Sequence, residues 1–289
     1  MYSLSEEQIA QLPLEEVQSL TPVTGGDVNQ AYRVQSKAQD YFLLVQPGRG
    51  ADFYASEIAG LEAMAEAGIR VPQVIAHGEL GPDAYLLLEF IQEGQGQQAA
   101  LGRMLAKLHR SQSESQQFGF DLAYQGGDIS FDNSWTDNWA DFFIKQRLLP
   151  LGQAIDQEGL WQTADQATYR TLLDRIAETL ENHDSVPSLL HGDLWAGNYM
   201  FDQEGQPLLF DPACFYGDRE FDLGVSLVFG GFGPDFYQAY QEAYPLAPGA
   251  KGRLEFYKLY FQALHLYKFG SIYLQSVRQT MARISKQSQ

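Results

Sequence analysis

The chain has 289 residues, 45% of them apolar and 13% aromatic, enough to bury the core of one large domain or of two modest ones sharing a cleft. A formal charge of −18 and a pI near 4.5 speak against nucleic acid and anionic membrane as partners, yet leave room for ATP, whose phosphates need only local backbone N–H groups and a metal. One cysteine, Cys214, rules out an internal disulfide; with no apolar run of membrane-spanning length and no basic, apolar leader at Met1–Ala10, a soluble cytoplasmic protein is expected.

Val17–Val23 and Ala31–Gln35 read as strands parted by the turn signal Thr24-Gly25-Gly26-Asp27, and Tyr41–Val45 is a β-rich run stopped at Pro47-Gly48. Helical spacing follows over Asp52–Ala67, with Ile58, Leu61, Met64 and Ala65 on one face, Asp52 as N-cap and Gly68 as the stop. Val74–Ala76 and Ala84–Phe90 supply two more strands, so residues 1–91 are expected to form a five-stranded lobe with its helix inserted after the third strand. The Gly- and Gln-rich segment 92–98 sets a lobe boundary, and residues 92–289 read as a larger, mostly helical lobe. Helical periodicity runs over Leu101–Arg110, Trp135–Leu149, Thr168–Asn182 and Leu254–Ile284, with short strands and loops at Leu189–Pro212. The class is α+β.

The chemistry concentrates in Leu190-His191-Gly192-Asp193-Leu194-Trp195-Ala196-Gly197-Asn198 and Leu208-Leu209-Phe210-Asp211-Pro212-Ala213. Phosphoryl transfer needs a carboxylate to accept the acceptor's proton and oxygen ligands to hold Mg²⁺ against the phosphates. Asp193 and Asn198 have the D-x-x-x-x-N interval of a kinase catalytic loop, and a short strand then delivers Asp211 as a second metal ligand. Any one of these residues alone would read as a turn residue; their order, behind a five-strand lobe, favours chemistry.

His191-Gly192-Asp193-Leu194-Trp195-x-Gly197-Asn198, followed by Phe210-Asp211-Pro212-Ala213 and Tyr216-Gly217-Asp218-Arg219-Glu220-x-Asp222, resembles the fructosamine kinase (ketosamine kinase) family, itself related to aminoglycoside phosphotransferases and protein kinases. Gly25-Gly26-Asp27, Leu105–His109 and Phe229–Phe232 extend the likeness over nearly the whole chain. The resemblance implies a bilobal protein-kinase-like fold with a five-stranded antiparallel sheet, and an ATP- and Mg²⁺-dependent enzyme that phosphorylates a sugar hydroxyl of fructosamine or ribulosamine adducts. It makes Asp193 the catalytic base, Asn198 and Asp211 the Mg²⁺ ligands, and Gly25, Gly26, Asp27, Val28 and Asn29 the loop over the phosphates. Glu89, Phe90 and Ile91 would form the hinge that meets adenine. Trp195 either packs or offers a flat face to the acceptor; Asp218 and Glu220 either brace the loop or meet a cationic amine, whereas Asp222 is expected to brace it. The aromatic stripe Phe256, Tyr257, Tyr260, Phe261 and Tyr267 reads mostly as core, with His265 able to join an acceptor pocket at its wetter end.

One position departs from the family's pattern. Kinase-like folds carry a lysine on the third strand that touches the phosphates and pairs with a helix glutamate. Glu57 matches that glutamate, but Leu44 stands where the lysine is expected, and no lysine occurs between Lys37 and Lys107. Arg33 and Arg49 are the neighbouring cations. The alternative is therefore a nucleotide-binding pseudokinase with little or no catalysis.

Overall fold

The structure, a computed structural model, describes residues 4–23, 30–126 and 129–287. Strands β1 (Val17–Val23), β2 (Gln30–Ser36), β3 (Asp40–Gln46), β4 (Val74–Leu80) and β5 (Asp83–Glu89) form one antiparallel sheet in the order β1-β2-β3-β5-β4. Because strand side chains alternate between faces, the sheet sorts its apolar residues into two sets. Tyr32, Val34, Leu43, Val45 and Leu87 pack with Leu4 and Leu12 around a short helix, α1 (Glu6–Ile9), which Ser5 and Gln8 close with a reciprocal capping box. The opposite face carries Phe42, Leu44, Leu86 and Leu88 and meets α2 (Ala55–Glu66).

Helix α2 follows the third strand as its spacing predicts, but its start differs. A 3₁₀ turn, Ala51–Tyr54, precedes it and places Asp52 inside that turn, with Gly50 rather than Asp52 at the cap position. Ile58, Leu61 and Met64 are its buried face. Gly60 lies so close to the next lobe that a methyl group there would stand 3.0 Å from Pro212 and 3.2 Å from Cys214. The helix thus rests directly on the segment that begins with Asp211.

The remainder is mainly helical: α3 (Gln98–Leu108), α4 (Trp139–Phe143), α5 (Leu149–Gln157), α6 (Thr163–Glu181), α7 (Glu220–Ser226), α8 (Pro234–Ala243), α9 (Ala250–Phe269) and α10 (Leu274–Lys286). Three two-stranded pieces interrupt it: β6 (Tyr124–Gly126) with β7 (Ile129–Phe131), β8 (Ser188–Leu190) with β11 (Phe215–Gly217), and β9 (Tyr199–Phe201) with β10 (Pro207–Leu209). The periodicity over Leu254–Ile284 suggests one helix, but Gly270, at φ +81°, breaks it into two. Between α4 and α5 a π-helical turn, Ile144–Leu148, carries the chain into a further helix with Pro150 in its first turn.

Below the β8–β11 pair lies an aromatic core. Phe143 meets Tyr257 at 5.0 Å and Phe221 meets Tyr260 at 5.2 Å between ring centroids, with Trp139, Phe142 and Phe215 stacked beside them. Each such ring contributes about 1.5–3 kcal/mol through burial. Together they fix α9 against α7, and so fix the helix that borders the polar loop described next.

Candidate active site

Strand β8 ends at Leu190, and the next eight residues form a loop that closes in a 3₁₀ turn, Ala196–Asn198, and is fixed by hydrogen bonds. Asp222, fully buried on α7, accepts from the backbone N–H of His191 (2.7 Å) and of Gly192 (2.9 Å). His109, at the C-terminal cap of α3, donates its Nε2–H to the same carboxylate (3.1 Å) and is itself held through Nδ1 by the Tyr240 hydroxyl (2.8 Å). His191 donates from Nε2 to the Phe210 carbonyl (3.0 Å), which leaves Nδ1 to accept from the Asp193 N–H (3.3 Å). Burial lowers its pKa, in keeping with a neutral ring in that tautomer. At Gly192 the backbone has φ +81° and a Cβ would fall 2.0 Å from the Ala213 carbonyl oxygen, so only glycine fits.

The loop brings Asp193, Asn198 and Asp211 to one place. Asn198 spends its Nδ2–H₂ on the Asp193 carbonyl (2.9 Å), the Asp193 carboxylate (3.1 Å) and the Asp211 carbonyl (3.4 Å), which leaves its Oδ1 as the oxygen it can present to a cation. Asp211 follows the β9–β10 hairpin with φ +55°, a left-handed conformation rare outside glycine and common at functional sites. Burial, and after it the charge of Asp211, raises the Asp193 carboxyl to about 7, while Lys268 and the Asn198 hydrogen bond act in the opposite sense. Burial raises Asp211 as well. Glu57, one helical turn before Gly60 on α2, is held well above the usual carboxylate range by burial and by Asp211.

Not every residue singled out from sequence joins this group. Leu44 is half-buried on β3, opposite Ala31 and Leu86, in the apolar face beneath α2. The strand position expected to hold a lysine thus carries an apolar side chain, and Asp211 is the charged group that acts on Glu57. Arg33 is bound to Asp40 and lies over the Phe90 ring at 4.6 Å, and Arg49 lies 5.9 Å from the Phe53 ring. The Glu89 carboxylate is turned to Arg70 (2.8 and 2.6 Å) and to the Gln73 N–H, and its own N–H donates to the Gln73 carbonyl (2.8 Å); Phe90 and Ile91 lie between β5 and the bridge that Glu93 makes to Asp202. Gly25, Gly26, Asp27, Val28 and Asn29 lie outside the described residues.

Asp218 and Glu220 need correction as acceptor contacts. Both are buried: Glu220 is clamped by Arg253 (2.9 and 2.7 Å), and Asp218 accepts from Ser185 (2.8 Å), His183 (3.0 Å) and the Glu220 N–H (2.8 Å). They brace the start of α7, which carries Asp222. Trp195 is 40% exposed, its ring lying across Gly197. His265 is half-buried, with its Nδ1 on the Phe261 carbonyl and its ring 4.6 Å from that of Phe229. Cys214 is buried, its thiol on the Gly60 carbonyl, and burial raises its pKa.

Three residues border the acidic group without having been singled out for it. Tyr124, on the β6–β7 hairpin, and Tyr260 and Lys268, on α9, all interact electrostatically with Asp193, and Tyr124 and Lys268 also with Asp211. They lie roughly 70 residues from the loop on either side, so no local pattern links them to it.

The fructosamine kinase family model matches residues 1–287. A probable ketoamine kinase of Staphylococcus aureus (strain NCTC 8325 / PS 47) is 52% identical over 97% of this chain and 98% of its own length. Among solved structures, a protein of Haemophilus somnus 129PT, provisionally named a fructosamine-3-kinase, superposes with a TM-score of 0.84 at 26% identity over 93% of this chain and 92% of that one. The aminoglycoside phosphotransferase APH(4)-Ia superposes with a TM-score of 0.65 at 17% identity over 93% of each chain, a likeness of fold. The five-stranded antiparallel sheet and helical lobe are thus a kinase-like α+β fold.

Proposed function

Because the chain belongs to the fructosamine kinase family, we propose that it is an active ATP- and Mg²⁺-dependent kinase that phosphorylates a sugar hydroxyl of a ketosamine in the cytoplasm. The observation that carries this reading is the convergence of Asp193, Asn198 and Asp211, locked by Asp222 and His191. ATP lies in the cleft between the lobes, divided near residues 91 and 92, with adenine against the backbone of Glu89, Phe90 and Ile91.

The donor set fits Mg²⁺. Asn198 Oδ1 and the Asp211 carboxylate are hard oxygen ligands, and the burial and mutual crowding that raise the carboxyls of Asp193, Asp211 and Glu57 are what a divalent cation would relieve. A bound Mg²⁺ supplies charge neutralisation at the phosphates. Asp193 Oδ accepts the proton of the acceptor hydroxyl as that oxygen bonds to the γ-phosphorus; the bond from phosphorus to the β,γ-bridging oxygen breaks, and ADP leaves. A carboxyl near 7 suits a base that must be ionised yet still basic at neutral pH. The acceptor lies on the side of Trp195, Tyr124 and His265.

The pseudokinase alternative rests on one observation, Leu44 in place of the strand lysine. Both readings meet in one assay: Mg²⁺-dependent ADP release by the purified protein with fructosamines, ribulosamines and unmodified sugars. Turnover that requires a ketosamine is expected; ATP binding without turnover across the panel would support the pseudokinase.

A further inference from the structure

The cation missing from the nucleotide lobe has a counterpart on the opposite lobe. Phe261, His265 and Lys268 stand at i, i+4 and i+7 on α9, one stripe of the helix. The middle member meets the Phe229 ring edge-on, 4.6 Å between ring centroids. Two residues on, Gly231, at φ +88°, abuts the catalytic loop so closely that a Cβ would stand 2.2 Å from that of Ala196. The same segment is tied down by Tyr199, whose hydroxyl donates to the Gly231 carbonyl (2.6 Å). Ala196 lies between Asp193 and Asn198. This succession of contacts ties the C-terminal part of α9, through His265, to the segment that touches the loop between Asp193 and Asn198.

Lys268, in the last turn of α9, is exposed. Among the described residues no carboxylate forms an ion pair with it, whereas Arg33, Arg70, Lys107 and Arg253 are all engaged elsewhere. Its positive charge nevertheless acts on both Asp193 and Asp211. A cation near enough to act on two acids, and ion-paired with neither, is free to meet an anion held beside them.

Resting on the kinase reading above, we infer that Lys268 contacts the oxygens of the phosphoryl group in flight and supplies from the acceptor side the charge that Leu44 no longer supplies from the strand. The γ-phosphoryl spreads its negative charge over three equatorial oxygens in the transition state, so a cation there favours transfer more than ground-state binding. Removing it therefore lowers kcat and largely spares nucleotide affinity.

The test uses Lys268→Met and Lys268→Arg in the full chain, with Mg²⁺, ATP and two acceptors, a fructosyl amino acid bearing a free carboxylate and a fructosyl alkylamine lacking one. Lys268→Met is expected to lower kcat about 10²-fold with both acceptors, and Lys268→Arg to retain most of it. Calorimetry gives a readout without turnover: Lys268→Met should weaken binding of Mg²⁺, ADP, aluminium fluoride and acceptor together about tenfold or more, while Mg²⁺-ADP alone shifts less than about threefold. A loss confined to KM for the carboxylate-bearing acceptor would make Lys268 a reader of the acceptor and overturn the inference. So would an unchanged kcat in Lys268→Met alongside an active parent, an outcome that leaves the kinase reading standing. Inactivity of the parent enzyme itself counts against the kinase reading, and the calorimetric arm then decides Lys268 alone.

Discussion

The two walls of the cleft are built by opposite means. On the C-terminal side, Asp222 satisfies two backbone N–H groups and His109 at once, His191 joins Asp193 to Phe210, and Asn198 joins Asp193 to Asp211. On the N-terminal side, Leu44 packs in the apolar cluster beneath α2, and burial together with the charge of Asp211 drives the Glu57 carboxyl toward the neutral form. Hydrogen bonds to every member make the first wall rigid and its geometry unique. The second wall sets a buried glutamate beside apolar side chains, and no cation of its own strand pairs with it among the described residues.

The largest effect should come from the rigid wall's reacting group. Asp193→Asn is expected to lower kcat about 10³-fold or more, with ATP affinity nearly unchanged, since it removes a base and not a metal ligand. Stability runs the other way. A carboxyl whose folded pKa is raised to about 7 favours the fold below its unfolded value, and that contribution is lost as pH rises through 7. The variant should therefore be more stable than the parent by roughly 1–3 kcal/mol at pH 8 and no more stable at pH 4, by denaturant titration at each pH. Equal turnover would remove Asp193 as base; equal stability at pH 8 would remove the strain assigned to its ionised form.

Next comes the buried support. Asp222→Asn keeps the shape but replaces one of two carboxylate oxygens with an amide donor, which then opposes either the Gly192 N–H or the pair of donors from His191 and His109. Loss of about 2–4 kcal/mol of stability and about 10²-fold in kcat is expected, by denaturation and by steady-state kinetics. A variant of full stability and full activity would mean that the loop is held by other contacts.

The same contrast explains how much was legible in the sequence. The strand runs and the inserted helix declared themselves through period-two and 3.6-residue patterns, and Asp193, Asn198 and Asp211 through their order along twenty residues. The break at Gly270 was hidden because apolar spacing continues on both sides of a single glycine. Asp218 and Glu220 stayed open between bracing the loop and meeting an amine because an acidic cluster reads the same whether it faces solvent or, as here, Arg253 and His183. Lys268, Tyr124 and Tyr260 were illegible as neighbours of Asp193, since only the tertiary packing of α9 and of the β6–β7 hairpin brings them there.

The smallest effect sharpens the comparison most, because it restores to the N-terminal wall the one group it lacks. Leu44 sits among Ile58, Leu61, Leu86 and Leu88, so the stem of a lysine in its place can lie along apolar surface while the ammonium reaches toward Glu57. In Leu44→Lys the new cation should lower the Glu57 carboxyl from its raised value, ionise it and form the pair that kinase-like folds carry, at a stability cost of about 1 kcal/mol for the lost apolar packing. Mg²⁺-ATP should then bind about three- to tenfold more tightly by calorimetry, the gain of one charge-assisted contact in part offset by desolvation. A folded variant with unchanged affinity would mean that the cleft closes around ATP without approaching β3, and that Leu44 belongs to a wall reshaped to dispense with the lysine rather than merely deprived of it.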